Sequence, residues 1–296
     1  MIDEETVVVD KLELIDALQQ LGIAYHVEKE IKHALDSIFS KLDDIRMETK
    51  GNAYIIALLF RLLRGHGFGV SQATTTLAHG EIAHEMVYRR IRERRGDEAL
   101  LLEFAKLDFN VVQNTYKREL KEVSRWWSNL GLWEKLSFSR DRLAENYLWP
   151  VGWAFEPKNS TFRLAQTKAN CLITAIDDIY DVYGSLDELE LFTEAVDRWD
   201  ALDIKQLPEY MKWTDLCKAY LVEAKWYNKN YIPTLEEYLQ NGWLSISGHV
   251  ILSYAYCLVP DLTQHDLDLF QNYPEIMQWS SMLLRLYNDL GTSKVG

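Results

Sequence analysis

The sequence is poor in residues that cross-link or punctuate a chain. Cysteine is limited to Cys171, Cys217 and Cys257, with no paired spacing, which excludes a disulfide framework and points to a reducing compartment. Only 6 prolines and 14 glycines occur in 296 residues, and no long stretch alternates polar and apolar positions. That excludes a sheet-based fold and leaves an all-α one. No apolar run is long enough to span a bilayer. Positive charge is in deficit, and a formal net charge of −13 argues against nucleic acid or an anionic membrane as a partner. An anionic ligand stays open, because bound metal inverts a local field. The opening MIDEETVVVDKLEL is acidic and has no h-region, unlike a signal peptide or an Arg/Ser-rich transit peptide. No trustworthy Ser/His/Asp or Cys/His constellation is present. The histidines of His79-Gly-Glu-Ile-Ala-His84 are five apart and diverge on a helix, so they do not form the H-E-x-x-H metal motif.

What is abundant is aromatic surface: 10 Trp and 16 Tyr suit a large aromatic-lined interior. Helical periodicity runs through most of the chain. Asp10 with Glu13 has capping-box spacing ahead of Leu14, Ile15, Leu18 and Leu21, and Gly22 is a natural stop. Helices follow from Glu28, over Tyr54–Leu63, and from Glu98 to Trp127, with Trp126 and Trp127 as packing residues. Arg89 to Arg95 holds five arginines and reads as a solvated helix face. Further helices are expected over Leu189–Trp199, Trp213–Tyr227, Thr234–Leu239 (with Thr234/Glu237 as a capping box), Trp243–Leu258 and Ile276–Leu290. Ser245, Ser247 and Gly248 are small residues that let a ligand or neighbour approach closely.

The stretch with most chemistry is Ala175-Ile-Asp-Asp-Ile-Tyr-Asp-Val-Tyr183. Leu172, Ile176, Ile179 and Tyr183 recur at helical spacing and should face a core. Asn170, Thr174, Asp177 and Asp181 form a second line, with Asp177 and Asp181 one turn apart. Paired carboxylates repel unless a cation or basic group compensates. Mg²⁺ fits, since it takes one or two carboxylates and completes its shell with water and phosphate. Taken alone, the motif reads first as a solvated acidic face, a reading that its apolar flanks weaken.

Five stretches in this order resemble a plant class I terpene synthase, and its monoterpene branch most. They are Leu101-Leu-Glu-Phe-Ala-Lys-Leu-Asp-Phe-Asn110, Arg140-Asp-Arg142, Asp177-Asp-Ile-Tyr-Asp181, Leu186-Asp-Glu-Leu-Glu-Leu-Phe192 and Asn288-Asp-Leu-Gly-Thr292. The resemblance implies a class I helical bundle over 98–296 behind a shortened α-barrel-like helical domain over 1–97. It implies Mg²⁺, with Mn²⁺ a second candidate, on Asp177 and Asp181, with Asp178 in support. The family's second motif, (N/D)D-x-x-(S/T)-x-x-x-E, supplies ligands from its first, fifth and ninth positions, here Asn288, Thr292 and Gly296. Diphosphate-binding arginines fall on Arg140, Arg142 and Arg285, and the cation-stabilising aromatic on Trp149. The implied substrate is a prenyl diphosphate, with geranyl diphosphate favoured. A chain-elongating transferase would carry a second DDxxD, and a protonating cyclase a D-x-D-D; neither is present.

The chain also departs from that pattern. The tandem-arginine motif is absent, helices are missing near Gln72–His79 and after Lys212, and Gly296 stands where a ligating Glu belongs. A splice form or gene model lacking exons is the expectation, with impaired turnover, uncovered apolar faces and self-association. The resemblance implies a plastid location, whereas the chain as given, without a transit peptide, would be cytosolic.

Overall fold

A computed structural model describes residues 2, 7–49, 52–70, 97–201, 213–258, 262–263, 265–266 and 273–293. The arginine run at 89–95, the histidines at 79 and 84, the whole junction at 72–79, and Gly296 lie outside the described residues. Those described fall almost wholly into helices, and their contacts divide the chain into two units, Met1–Asn114 and Thr115–Gly296.

The first unit contains α1 (Val8–Gln20), α2 (Glu28–Ser40), α3 (Leu42–Glu48) and α4 (Ala53–Gly65), and the opening turns of α5 (Asp97–Leu130). One apolar stripe from each of α1, α2 and α4 makes the core, with Leu12, Ile15, Leu35, Leu59, Leu62 and Leu63 at its centre. α1 begins earlier than its spacing suggested: Val7 is the N-cap without a side-chain cap, and Asp10 lies in the first turn. The partial burial of Val8 and Val9 against the core extends the helix backwards. Gly22 ends it as expected, at φ 72°, a value glycine reaches without a Cβ penalty. Leu101 and Ala105 of α5 pack on this core, and Asp108 accepts hydrogen bonds from Tyr25 (2.6 Å) and His26 (2.9 Å). A boundary at 97/98 and the contact boundary at 114/115 therefore differ in where they assign these turns.

The second unit holds the remainder of α5, then α6 (Leu143–Trp153), α7 (Ser160–Asp178), α8 (Leu186–Ala201), α9 (Trp213–Asn228), α10 (Leu235–Ser245), α11 (Gly248–Cys257) and α12 (Glu275–Thr292). α6 packs on α7 through polar as well as apolar groups. Pro150, inside α6, has no N–H to offer the Asn146 carbonyl one turn back. Asn170 of α7 supplies the donor from its side chain, at 3.3 Å. Asn146 in turn donates to Thr174, at 3.1 Å. Beneath these lies a buried ion pair: Arg163 meets both oxygens of Glu119 at 2.7 and 2.8 Å and donates to the Ala154 and Glu156 carbonyls, while Tyr147 donates to Glu119. Every polar atom of the pair has a partner, the condition on which such a pair is tolerated. The network fixes both ends of α6 against α5 and α7.

The acidic helix does not run unbroken to Gly184. After Asp178 it widens into a π-turn, Ile179–Tyr183, closed by the Gly184 N–H on the Ile179 carbonyl. The wider turn rotates the core face. Ile173 and Tyr180 are the most buried, Ile176 and Ile179 are partly so, and Tyr183 is exposed and stacks on Phe138 at 4.1 Å. Such π-turns recur at functional sites.

The stretch expected as one helix over Trp243–Leu258 is two. α10, capped by the Thr234/Glu237 box, stops at Ser245, and Ser247 turns the backbone at φ 63°. A Cβ on Gly248 would strike Ser281 of α12, so the small residue admits a neighbouring helix. Next to it His249 is 1% exposed, with no hydrogen-bond partner for either ring nitrogen among the described residues. The rings of Trp243 and Tyr273 meet it edge-on, at 6.0 and 5.5 Å. Burial pushes its pKa down to about 4, against a smaller opposing pull from Asp215.

An unfolded chain takes up the His249 proton near pH 6.5 and the folded one only near 4, so stability present above 6.5 is lost as pH falls through that window. The loss is on the order of 3 kcal/mol. Denaturant midpoints from pH 7 to 4 should therefore fall less in His249→Phe than in the parent; parallel curves would contradict the assignment.

Candidate active site

The site is assembled around the C-terminal end of α7. Ser139 and Arg140, in the segment before α6, reach Asp178: its Oδ2 accepts from the Arg140 backbone N–H (2.7 Å) and the Ser139 hydroxyl (3.1 Å), and its Oδ1 from Arg140 Nε (2.6 Å). Asp178 is 4% exposed, with both oxygens occupied. It anchors Arg140. Arg140 Nη2 donates to Asp177 at 2.8 Å. Partial burial works against the Arg140 charge, but Asp178 and then Asp177 outweigh it and hold its pKa above the ordinary value.

Asp177 and Asp181 form the open side. Burial pushes the Asp177 carboxyl up, opposed by Arg140 and by the nearby Tyr220 hydroxyl of α9. Burial also raises Tyr220 well above the usual phenol range, followed by the charge of Asp177. Asp181 is exposed over its surface as a whole, yet enough protein crowds its carboxylate to lift its pKa to about 6. Desolvation is the main cause, then repulsion by Asp177 and Glu223; Arg140 and Arg285 pull the other way. Four charged groups from four segments thus act on one carboxylate.

Arg285 of α12 lies in a second polar cluster. Its Nε donates to the Tyr238 hydroxyl (2.7 Å) and to Asp289 Oδ1 (3.0 Å). Its Nη1 donates to Ser245 Oγ (3.2 Å) and Glu223 (3.4 Å). The Tyr238 hydroxyl donates to Asp289 Oδ2 at 2.6 Å, and its ring lies 5.0 Å from the guanidinium carbon. Gly242 lies against the Arg285 stem, where a Cβ would make ordinary contact with its Cγ at 3.4 Å.

Of the residues singled out in the sequence, Asp177, Asp178, Asp181, Arg140 and Arg285 are drawn together electrostatically. Asn288 and Thr292 share one face of α12 with Arg285. Both are exposed, and the Thr292 hydroxyl donates to the Asn288 carbonyl at 2.9 Å. Arg142 is not brought in: it is exposed and pairs with Glu145 at 2.8 Å. Trp149 is 53% exposed, with its ring 6.5 Å from that of Trp153. Sequence reasoning missed Tyr220, Glu223, Tyr238 and Asp289. The only local signals were the Tyr220/Glu223 spacing and the place of Tyr238 directly after a capping-box Glu.

Among the described residues no three His, Cys, Asp or Glu side chains form a metal-holding group. Asp177 and Asp181 do fit a hard divalent cation: they are oxygen donors, they repel one another, and Mg²⁺ draws its remaining ligands from water and phosphate. A site supplying all its ligands from protein is not needed.

Comparison with known proteins gives the family and the fold. Residues 1–76 match the terpene synthase N-terminal domain, and 128–214 and 212–295 match the terpene synthase family metal binding domain. The two ranges of the metal binding domain match meet at 212–214. Monoterpene synthase 8, chloroplastic, of Hedychium coronarium is 43% identical over 406 residues, covering 99% of this chain and 69% of that protein. The (−)-alpha-terpineol synthase of Vitis vinifera is 40% identical, covering 96% of this chain and 66% of that protein. The chain thus spans about two thirds of these relatives' length. An alignment of 406 residues to a chain of 296 also means that the relative carries stretches inside the matched span that have no counterpart here. Isoprene synthase from grey poplar leaves, solved with three Mg²⁺ ions and dimethylallyl-S-thiolodiphosphate, superposes with TM-score 0.86 at 32% identity, over 99% of this chain and 76% of that one. Limonene synthase with 2-fluorolinalyl diphosphate gives 0.81 at 32%, over 98% and 74%.

Because Asp177 repels the Asp181 charge, Asp177→Asn should lower the Asp181 pKa from about 6. Carboxyl NMR titration of metal-free protein checks this; an unchanged or higher value would refute the coupling.

Proposed function

This chain belongs to the terpene synthase family of enzymes, and on that premise we propose that it ionises an allylic prenyl diphosphate, geranyl diphosphate first among them, and carries the carbocation on to a monoterpene. The observation that best supports this is the meeting of charges at Asp181, where Asp177 and Glu223 repel and Arg140 and Arg285 attract. Such a place accepts a cation and an anion together. Asp177 and Asp181 on α7, with Asn288 and Thr292 on α12, are the residues that would hold Mg²⁺, or Mn²⁺ in its place. When bound, the metal neutralises charge on the departing diphosphate.

The chain's own residues do the rest. The C–O bond of the allylic ester breaks with its electron pair leaving on diphosphate. Arg285, whose Nη2 makes no hydrogen bond among the described residues, meets phosphate oxygens with a planar fork. Arg142 exchanges an exposed pair with Glu145, worth little, for phosphate. Arg140, locked by Asp178, keeps positive charge beside Asp177. Trp149 offers an aromatic face to the cation. No nucleophile is needed, which matches the lack of a nucleophilic constellation. The relatives' printed names place them in chloroplasts, and a plastid location belongs to this reading. Among the described residues no helix is long and apolar enough to cross a membrane.

A second reading, a chain that binds diphosphate without turning it over, is favoured by the stretches present in the relative and lacking here. Incubation with geranyl or farnesyl diphosphate and Mg²⁺, scoring both volatile products and released pyrophosphate, decides between them. Product and pyrophosphate well above an Asp177→Ala control are expected; signals equal to that control would refute catalysis.

Self-association is also proposed, because α12 exposes Ile276, Trp279, Leu283, Tyr287 and Leu290 at the three- and four-residue spacing of a helix-packing stripe. Light scattering should show dimer at micromolar concentration; a monomer throughout would contradict it.

A further inference from the structure

We propose that Tyr238 is a positioning residue for the diphosphate site: its hydroxyl holds Asp289 and Arg285 Nε together in a geometry that leaves Nη2, at the free edge of the guanidinium, without a bond among the described residues. This rests on the diphosphate-binding reading above.

Arg285 and Asp289 stand i and i+4 on α12, where an arginine and a carboxylate pair readily. The strongest form of that pair is bidentate, with two parallel N–H···O bonds. Here it does not form. Asp289 Oδ1 takes only Nε, at 3.0 Å, and Oδ2 accepts from the Tyr238 hydroxyl at 2.6 Å. The same hydroxyl accepts from Nε at 2.7 Å. One hydroxyl thus satisfies the second carboxylate oxygen and shares the Nε proton, so the carboxylate has no reason to swing onto Nη2. Ser245 and Glu223 take Nη1 through longer bonds, 3.2 and 3.4 Å. The Tyr238 ring beneath the guanidinium, 5.0 Å from its carbon, fixes the plane in which the free edge lies. The capping box of Thr234 and Glu237 sets the first turn of α10 directly before Tyr238, so the hydroxyl is held by a rigid element.

Removing the hydroxyl should let Asp289 close on both Nε and Nη2 and compete with phosphate. Tyr238→Phe keeps the ring and the cation–π contact and removes only the hydroxyl. Titration of the full chain with inorganic pyrophosphate and Mg²⁺ by calorimetry should show affinity about tenfold weaker in Tyr238→Phe. Adding Asp289→Asn should recover most of that loss, because an amide cannot form the ionic pair; a merely structural role for Tyr238 gives no such rescue. Equal affinity in parent and Tyr238→Phe, or a deeper loss in the double variant, overturns the inference and leaves the diphosphate reading standing. No pyrophosphate binding by the parent overturns both. If Tyr238→Phe does not fold, Asp289→Asn alone serves: binding at least as tight as the parent supports the inference, and weaker binding overturns it.

Discussion

The second unit depends on how positive charge is fixed against the end of α7. Asp178 is buried and takes a backbone N–H, a hydroxyl and the Arg140 guanidinium. That leaves Arg140 with one remaining bond to Asp177 and nothing to offset Asp181 fully. Two neighbouring aspartates in sequence therefore differ, Asp178 fully bonded and Asp177 only partly so. In the proposed function, that imbalance is what draws a metal and its anion to the site.

Holding this imbalance needs stiff surroundings, since a mobile carboxylate would swing to solvent. The buried Glu119–Arg163 pair, with Tyr147, ties α6 between α5 and α7, and Asn170 completes the carbonyl left open by Pro150. On the other side, the break between α10 and α11 and the contact of Gly248 with Ser281 bring α12 close, which places Arg285 within electrostatic reach of Asp181. Polar groups buried for stability and polar groups kept for chemistry thus share the same helices.

Much of this was legible from residue spacing. The helices, the Thr234/Glu237 box and the Gly22 stop follow local rules, and the ordered motifs named the family before any coordinates. Three features were not legible, each for a physical reason. The π-turn at Ile179–Tyr183 shifts the buried face by a fraction of a turn, so Tyr183 points out and Tyr180 in; apolar periodicity alone does not record an extra residue in a turn. The left-handed Ser247 breaks a stretch whose composition suits one helix. The partners of Arg285, namely Glu223, Tyr238 and Asp289, come from three helices, and side chains brought together by packing leave no spacing signature.

In the function proposed above, α7 and α12 act together on one metal–diphosphate ligand. The most direct measurement is the melting temperature with inorganic pyrophosphate and Mg²⁺, singly and together, in the parent, Asp181→Asn, Arg285→Met and the double variant. A ligand that binds only the native state raises stability by mass action. The account predicts a rise in the parent only when both ligands are present, lost in either single variant, with the double variant no worse than either. Stabilisation by pyrophosphate without Mg²⁺, or persisting in Asp181→Asn, would contradict it.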